Sequence, residues 1–354
     1  MRDRTPDALC VEEEPVFARV LVPLDGSTLA VGVLAHVAAL AQADADMVLL
    51  RVIEPLESGE AVDPLEWRLR RDVAQAYLDQ VALDWREHTS LQLRTMVLEG
   101  DPAEKILETA RETDAQLVAL SSHGAGGLNA WNLNSVAFKV AQRAGTSILV
   151  VRSYRINESD IGAVAEEERY RRILVPLDGS LRSEHVLPAA DRLACRQGAT
   201  VLLAHVVMHP RSIQRLGAAG TSDLQDRALV KGTMQAQRYL DELAKGIAAH
   251  TEVHVLLNHD PAAALHQLVD DSDVDLVIIS AHGHSGERTW PHGSLATSFV
   301  LHGGTALLVL QDVAWEALDP SKAELAARCA PATVVHAGAA PSEGSERINS
   351  HGIA

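Results

Sequence analysis

One nine-residue segment occurs twice in the chain. Arg19-Val20-Leu21-Val22-Pro23-Leu24-Asp25-Gly26-Ser27 returns as Arg172-Ile173-Leu174-Val175-Pro176-Leu177-Asp178-Gly179-Ser180, with eight of nine positions identical. Later landmarks keep the same order. Asp101-Pro102-Ala103 answers to Asp260-Pro261-Ala262, His123-Gly124 to His282-Gly283, and the apolar run Ser147 to Val151 to the run Thr305 to Leu310. The offset grows from 153 at Asp25 to 159 at Gly124, so the second copy carries six extra residues between those landmarks. A period this long is not that of a solenoid, whose repeats are far shorter. It describes two homologous domains, and 354 residues suffice for both.

Within each copy, apolar runs alternate with segments of helical spacing. The first copy predicts strands near 19–24, 47–53, 91–98, 116–121 and 147–152, with helices near 28–43, 64–88, 102–112 and 134–144. The second predicts strands near 172–177, 199–206, 252–257, 274–280 and 305–310, with helices near 181–196, 221–248, 261–270 and 294–302. Trp67, Leu69, Val73, Tyr77, Leu78, Val81 and Trp85 illustrate the helical spacing. Strand-helix alternation implies a parallel sheet with right-handed crossovers. Aromatic residues are only 3% of the chain against 47% apolar, so the core must be built from Ala, Leu and Val. The boundaries expected are a flexible N-terminus at 1–15, domains at 16–153 and 170–312, an acidic linker at 154–169, and a tail at 313–354. The tail is rich in Ala, Gly and Ser and largely disordered in expectation, with a candidate helix near 321–329.

Several partner classes are disfavoured. A formal net charge of −17 argues against nucleic acid, whose phosphates select basic surfaces. No segment approaches the ~18–20 uninterrupted apolar residues of a membrane span. Cys10, Cys195 and Cys329 are far apart and form no CxxC, and the N-terminus has no apolar signal region. The expected compartment is the cytoplasm.

The loops after two strands carry the chemistry. Asp25 and Asp178 each follow a first strand and precede Gly-Ser. One reading is a polar turn with Ser27 or Ser180 as helix N-cap. The other is a carboxylate aimed into the crevice beyond the strand ends, where open α/β sheets bind ligands. A second loop, from Ser280-Ala281-His282-Gly283 to Gly293-Ser294, follows the apolar run Asp275 to Ile279. Glycine and a hydroxyl at a helix start make an anion seat of free N–H groups at the positive end of the helix dipole. An imperfect copy runs from Ser121-Ser122-His123-Gly124 to Asn134-Ser135. His282, His284 and His292 crowd the second-copy loop, but no carboxylate or cysteine stands at a clear metal-ligand spacing beside them. The chain has no GxxxxGK[ST], no GxGxxG after a first strand and no GxSxG elbow.

On these residues the chain resembles the universal stress proteins. Their opening strand commonly ends in Val-Pro-x-Asp-Gly-Ser, and their nucleotide signature is Gly-x2-Gly-x9-Gly-Ser/Thr after an apolar strand. The resemblance covers roughly 17–152 and 170–312. It implies two tandem Rossmann-like α/β domains of the adenine nucleotide alpha hydrolase-like type, each a five-stranded parallel sheet flanked by helices. It also implies pairing through the last strand and, in many members, ATP or AMP binding. In those members the Asp contacts adenine, a second-strand residue pairs with the base through its backbone, and the glycine loop holds ribose and phosphates. Carried over, the second copy offers Pro176, Leu177, Asp178, Gly179, Val206, Gly283, His284, Gly293, Ser294 and Leu295. The first offers Pro23, Asp25, Val52, Gly124, Asn134 and Ser135.

The departures rank the two sites. Ser280 and Ser121 stand at the first signature glycine, and Asn134 stands at the third in the first copy. A serine costs on the order of 1–2 kcal/mol if that position needs φ > 0 and nothing if it is extended. Asn tolerates left-handed geometry best among the other residues. Arg288 lies inside the second loop, whereas no Lys or Arg lies between Gly124 and Ser135. The second copy is therefore expected to be the better site. The expected ligand is ATP, ADP or AMP, with Mg2+ as an accompanying ion and no catalytic residue assigned. The expected role is a nucleotide-dependent sensor or regulator in stress response that acts through an unidentified regulatory protein. A non-binding tandem scaffold and a slow ATP hydrolase are the alternatives. The runs 147–152 and 305–310 are expected to pair the copies into an intramolecular pseudo-dimer, with further homo-oligomers left open.

Overall fold

The repeated Leu-Val-Pro runs become the central strands β1 (Phe17–Pro23) and β6 (Arg172–Pro176). Each is buried on both faces. Val20 and Val22 pack into one apolar cluster and Leu21 into another on the opposite side of the sheet. That two-sided burial is why the runs read as continuous apolar segments rather than alternating ones. The computed structural model describes residues 17–55, 64–86, 89–122, 135–152, 169–208, 221–283 and 293–311.

The first copy continues with β2 (Ala41–Ile53), β3 (Gln92–Glu99), β4 (Leu117–Ser121) and β5 (Ser147–Val151). The second continues with β7 (Thr200–Val207), β8 (His250–Leu257), β9 (Leu276–Ser280) and β10 (Ala306–Leu310). All ten join one sheet in the order β3-β2-β1-β4-β5-β10-β9-β6-β7-β8. Within each copy every pairing is parallel, as the alternation predicted. Among the described residues the one antiparallel pair is β5 with β10, with Leu307 opposite Val150, Leu308 opposite Leu149 and Val309 opposite Ile148. The two last strands thus cover one another's edges, so neither is left as a template for foreign strands.

The helices divide between the two faces. On one side lie α1 (Thr28–Val31), α2 (Val33–Leu40), α3 (Pro64–Arg86), α7 (Leu187–Gln197) and α8 (Thr221–Ala244), with the single turn α6 (Leu181–Glu184) just before α7. On the other lie α4 (Pro102–Glu112), α5 (Val136–Arg143), α9 (Pro261–Asp271) and α10 (Ser294–His302). Both apolar clusters contain residues from both copies, so the core runs through the seam.

The helices expected at 28–43 and 181–196 are corrected by the structure. Each is interrupted after one turn, and the first stops at Leu40, where Ala41 turns extended and opens β2. In the second copy the cause is Pro188 at the start of α7, which has no N–H to continue the ladder. In the first copy Gly32 marks the break with helical dihedrals. The expected N-terminal segment, most of the linker 154–169, and the stretch from 313 with its candidate helix lie outside the described residues.

Polar contacts also cross between the copies. Arg152, 5% exposed, follows β5 and donates to Phe299 O and Val300 O near the end of α10, at 2.7 Å each. His36 on α2 shares a 2.7 Å hydrogen bond with the Tyr170 hydroxyl just before β6. Burial holds the His36 imidazole down at about 4, well below its ordinary 6.5.

Candidate functional site

In each copy the chain leaves β1 or β6 toward one side of the sheet and later returns on the other. Strand order therefore reverses between β1 and β4, and between β6 and β9. The carboxyl ends of those strands are where open α/β sheets form their ligand crevice, and Asp25 and Asp178 lie there. The two turns have nearly the same geometry. Asp25 Oδ1 accepts from Ser27 N at 3.0 Å and Ser27 Oγ at 2.6 Å, and Asp178 Oδ1 accepts from Ser180 N and Oγ at the same distances. Gly26 and Gly179 have φ of +87° and +85°, a conformation that side chains other than glycine disfavour. Ser27 Oγ then caps Ala30 N and Ser180 Oγ caps Ser183 N, at 3.2 Å each. The serines are N-caps, as the first reading of the turn has it, and Asp25 and Asp178 stand at the carboxyl ends of β1 and β6.

In the second copy the other carboxylate oxygen meets the glycine loop. A Cβ added at Gly283 would run into Asp178 Oδ2. Only a residue without a side chain lets the loop after β9 lie directly against the carboxylate after β6. Gly293 N then donates to Ala281 O at 2.6 Å, folding the far end of the loop back on its start. Gly293 has ordinary dihedrals (φ −70°, ψ 171°) and is the N-cap of α10, with no side-chain cap bond. In the first copy the cap position is held by Ser135, whose hydroxyl accepts from Phe138 N at 3.2 Å. Among the described residues no side chain caps the first turn of α10, whereas Ser135 spends its hydroxyl inside α5.

The signature's first position shows no backbone strain. Ser121 and Ser280 end β4 and β9 as extended residues, and neither has positive φ. Ser280 Oγ is buried and has no partner among the described residues.

The second-strand residues are placed by register. Pro23 pairs with Leu50 and Leu24 N donates to Leu50 O; Pro176 pairs with Ala204 and Leu177 N donates to Ala204 O. Parallel strands present alternate residues to alternate neighbours. Two positions on, Val52 and Val206 therefore point their N–H and C=O past the ends of β1 and β6, toward the crevice. Their side chains pack into the core, as does that of Leu177, so these residues offer backbone only. Pro23 and Pro176 end the central strands, and Ser294 and Leu295 open α10, with Ser294 exposed. Gly124, Asn134 and His284 lie outside the described residues.

Sequence reasoning missed the flanking residues. Tyr77 on α3 donates to Ser27 O at 3.3 Å, and Tyr239 on α8 donates to Glu184 Oε1 at 2.8 Å. Burial, then the nearby Asp25 carboxylate, pushes the Tyr77 hydroxyl up to about 12. Burial, then Glu184, raises that of Tyr239 further. Burial also raises Glu184, with Asp178 adding to the rise. Arg51 and His205 both reach the carbonyl before the Asp: Arg51 Nη1 donates to Leu24 O at 3.4 Å and His205 Nδ1 to Leu177 O at 2.8 Å. The sole sequence signal for this pair was their place one residue before Val52 and Val206. Among the described residues no three His, Cys, Asp or Glu side chains group to hold a metal ion. No described helix is long and apolar enough to cross a membrane.

A sequence profile of the universal stress protein family matches residues 17–152 and 169–311, the two copies that share this geometry. The chain belongs to the universal stress protein family. A universal stress protein of Mycolicibacterium smegmatis is 32% identical over 135 residues, which are 38% of this chain and 45% of that one, so this chain spans less than half of that relative's length. A universal stress protein of Mycobacterium tuberculosis is 25% identical over 223 residues, covering 62% of this chain and 69% of its own. The crystal structure of a universal stress protein from Archaeoglobus fulgidus superposes with a TM-score of 0.60, covering 84% of this chain and 97% of that one. At 17% identity the likeness speaks to the fold.

Proposed function

We propose that this universal stress protein binds an adenine nucleotide in its second copy and that occupancy of the site is its signal in stress response. The observation that carries the reading is the contact of Gly283 with Asp178 across the β6/β9 switch point. It brings a carboxylate acceptor and a close-approaching backbone together beside the open edge of Val206. The amino group of adenine suits the carboxylate, and the base edge suits the strand backbone. The phosphates suit the first turn of α10 at Gly293, Ser294 and Leu295, where amides and the helix dipole favour negative charge. Ser280 Oγ is a buried group that a ligand oxygen would satisfy. Mg2+ would accompany the phosphates rather than occupy a cage built by the protein. A regulatory protein would read the occupied site.

The test is thermal unfolding of the full chain with ATP, ADP and AMP, each with and without Mg2+. A ligand at a hundredfold excess over its dissociation constant stabilises by ~2.7 kcal/mol. A Cβ at Gly293 meets only ordinary contacts among the described residues, 3.6 Å from Ala281 O, so Gly293→Val puts a side chain at the phosphate seat, and its ligand-free melting temperature checks that the fold is kept. Wild type should melt higher with nucleotide, and Asp178→Ala combined with Gly293→Val should not. An unchanged shift in the double variant would refute the site.

A further inference from the structure

The second strand carries a different side chain at the same place in each copy, and nothing about the family match assigns it a role. Register equates Arg51 with His205, since each follows the residue paired with the proline that ends the central strand. The His205 ring stops at Leu177 O, its edge against Tyr239 with centroids 6.1 Å apart and planes at 72°. Among the described residues, no atom beyond the turn's own neighbours lies within 4 Å of the place a Cβ would take on Gly179. Arg51 is longer. Its Nη2, Cζ and Nε lie 3.6, 3.7 and 3.9 Å from the same place on Gly26. The turns beneath match in φ and in both Asp-Ser hydrogen bonds. The difference beside them therefore comes from the second-strand side chain, not from the backbone.

We infer that Arg51 is a specificity-determining residue that excludes from the first copy the nucleotide taken by the second. The inference rests on the nucleotide reading of the second copy for its choice of probe. The guanidinium lies over Gly26 in the Asp-Gly-Ser turn, one residue before Val52, at the place the proposed base would occupy. It carries a positive charge into the neighbourhood of Asp25, which competes with an amino group for that carboxylate. The Tyr77 hydroxyl registers both charges, Asp25 raising it and Arg51 lowering it. A base entering the first copy would have to displace a charged group already engaged with Leu24 O. In the second copy no described side chain covers Gly179. The opposite outcome is physically defined as well: a guanidinium that swung aside to stack on the base would strengthen binding.

The experiment counts ATP sites per full-length chain by titration calorimetry in wild type, Arg51→His and Arg51→Ser. The second variant guards against a folding defect in the first, and the melting temperature of each is measured without ligand. The expected result is one more site per chain in both variants than in wild type, with an affinity within about tenfold of the second copy's. That added site should persist when Asp178→Ala is introduced. An equal count in wild type and both variants overturns the inference, as do two sites in wild type. If wild type binds none and Arg51→His binds one, the role of Arg51 stands and the nucleotide reading of the second copy falls. If wild type and both variants each bind one, the reverse holds.

Discussion

The two Asp-Gly-Ser turns have the same backbone and different surroundings. Gly179 is open, its carboxylate neighbour touches Gly283, and a glutamate and a tyrosine bond each other nearby. Gly26 is covered by a guanidinium, and Val31 stands at the offset of Glu184. At the helix that closes each site, Gly293 leaves α10 uncapped while Ser135 caps α5 with its own hydroxyl. A duplicated turn fixes where a ligand would sit. As proposed for Arg51, the residues one layer out decide whether it is admitted.

The strongest way to break this contrast is to close the second copy at its tightest point. Gly283→Val should lower ATP affinity at least a hundredfold, because the side chain enters the space between loop and carboxylate. The smaller Gly283→Ala should cost roughly 1–3 kcal/mol in urea unfolding, the usual range for overpacking. That cost should shrink in an Asp178→Ala background, and an equal cost in both backgrounds would remove Asp178 as the obstacle.

A second contrast lies at the seam. His36 bonds Tyr170, whereas the same offset pairs Ala189 with Phe17, which cannot titrate. The folded His36 has a lowered pKa, so as pH falls below 6.5 the unfolded state takes up the proton first. Its contribution is present above pH 6.5 and is lost as pH falls toward about 4. The loss should be on the order of 2–3 kcal/mol, the lower figure allowing for the part of the ring that reaches solvent. His36→Gln should flatten the slope of stability against pH in that window, and an unchanged slope would assign it to other groups.

Arg152 provides a third contrast, because Gln311 stands at its place after β10 and donates its backbone amide to Ser147 Oγ. Arg152→Met should destabilise by about 2 kcal/mol through the loss of two charge-assisted bonds to buried carbonyls. It should also speed amide exchange in α10 more than in α5. Equal acceleration in the two helices would deny Arg152 its specific hold on α10. The smallest effect concerns Ser280. Removing its unpartnered hydroxyl in Ser280→Ala should leave ligand-free stability unchanged or raise it by up to ~1 kcal/mol. A loss greater than 1 kcal/mol would mean that the hydroxyl has a partner.

Most of the sheet could be read in the sequence because its strands are buried on both faces. Val20-Leu21-Val22 and Leu276-Val277-Ile278-Ile279 admit little else. The pairing of 147–152 with 305–310 was legible as two apolar runs left at the ends of two parallel sheets. The helix breaks were only half legible. Pro188 announced one, but Gly32 keeps helical dihedrals and gave no warning of the other. In the site, Asp178 and Gly283 followed from position and residue type. Arg51, His205, Tyr77 and Tyr239 did not, because each acts across strands or helices at no fixed spacing. The unlike caps of α5 and α10 were hidden for another reason. Ser135 and Ser294 occupy the same offset, but α10 begins one residue earlier in the repeat, so the second serine enters the helix and the first caps it.

The second copy is proposed to hold the nucleotide. The most direct test is photolabelling of the full chain with 8-azido-ATP, with mass spectrometry of the labelled peptides and unlabelled ATP as competitor. Label is expected on peptides around Asp178, Val206 and Gly283 that competitor removes, with little around Asp25 and Val52. Equal labelling of both copies, labelling of the first alone, or label that ATP fails to displace would contradict it.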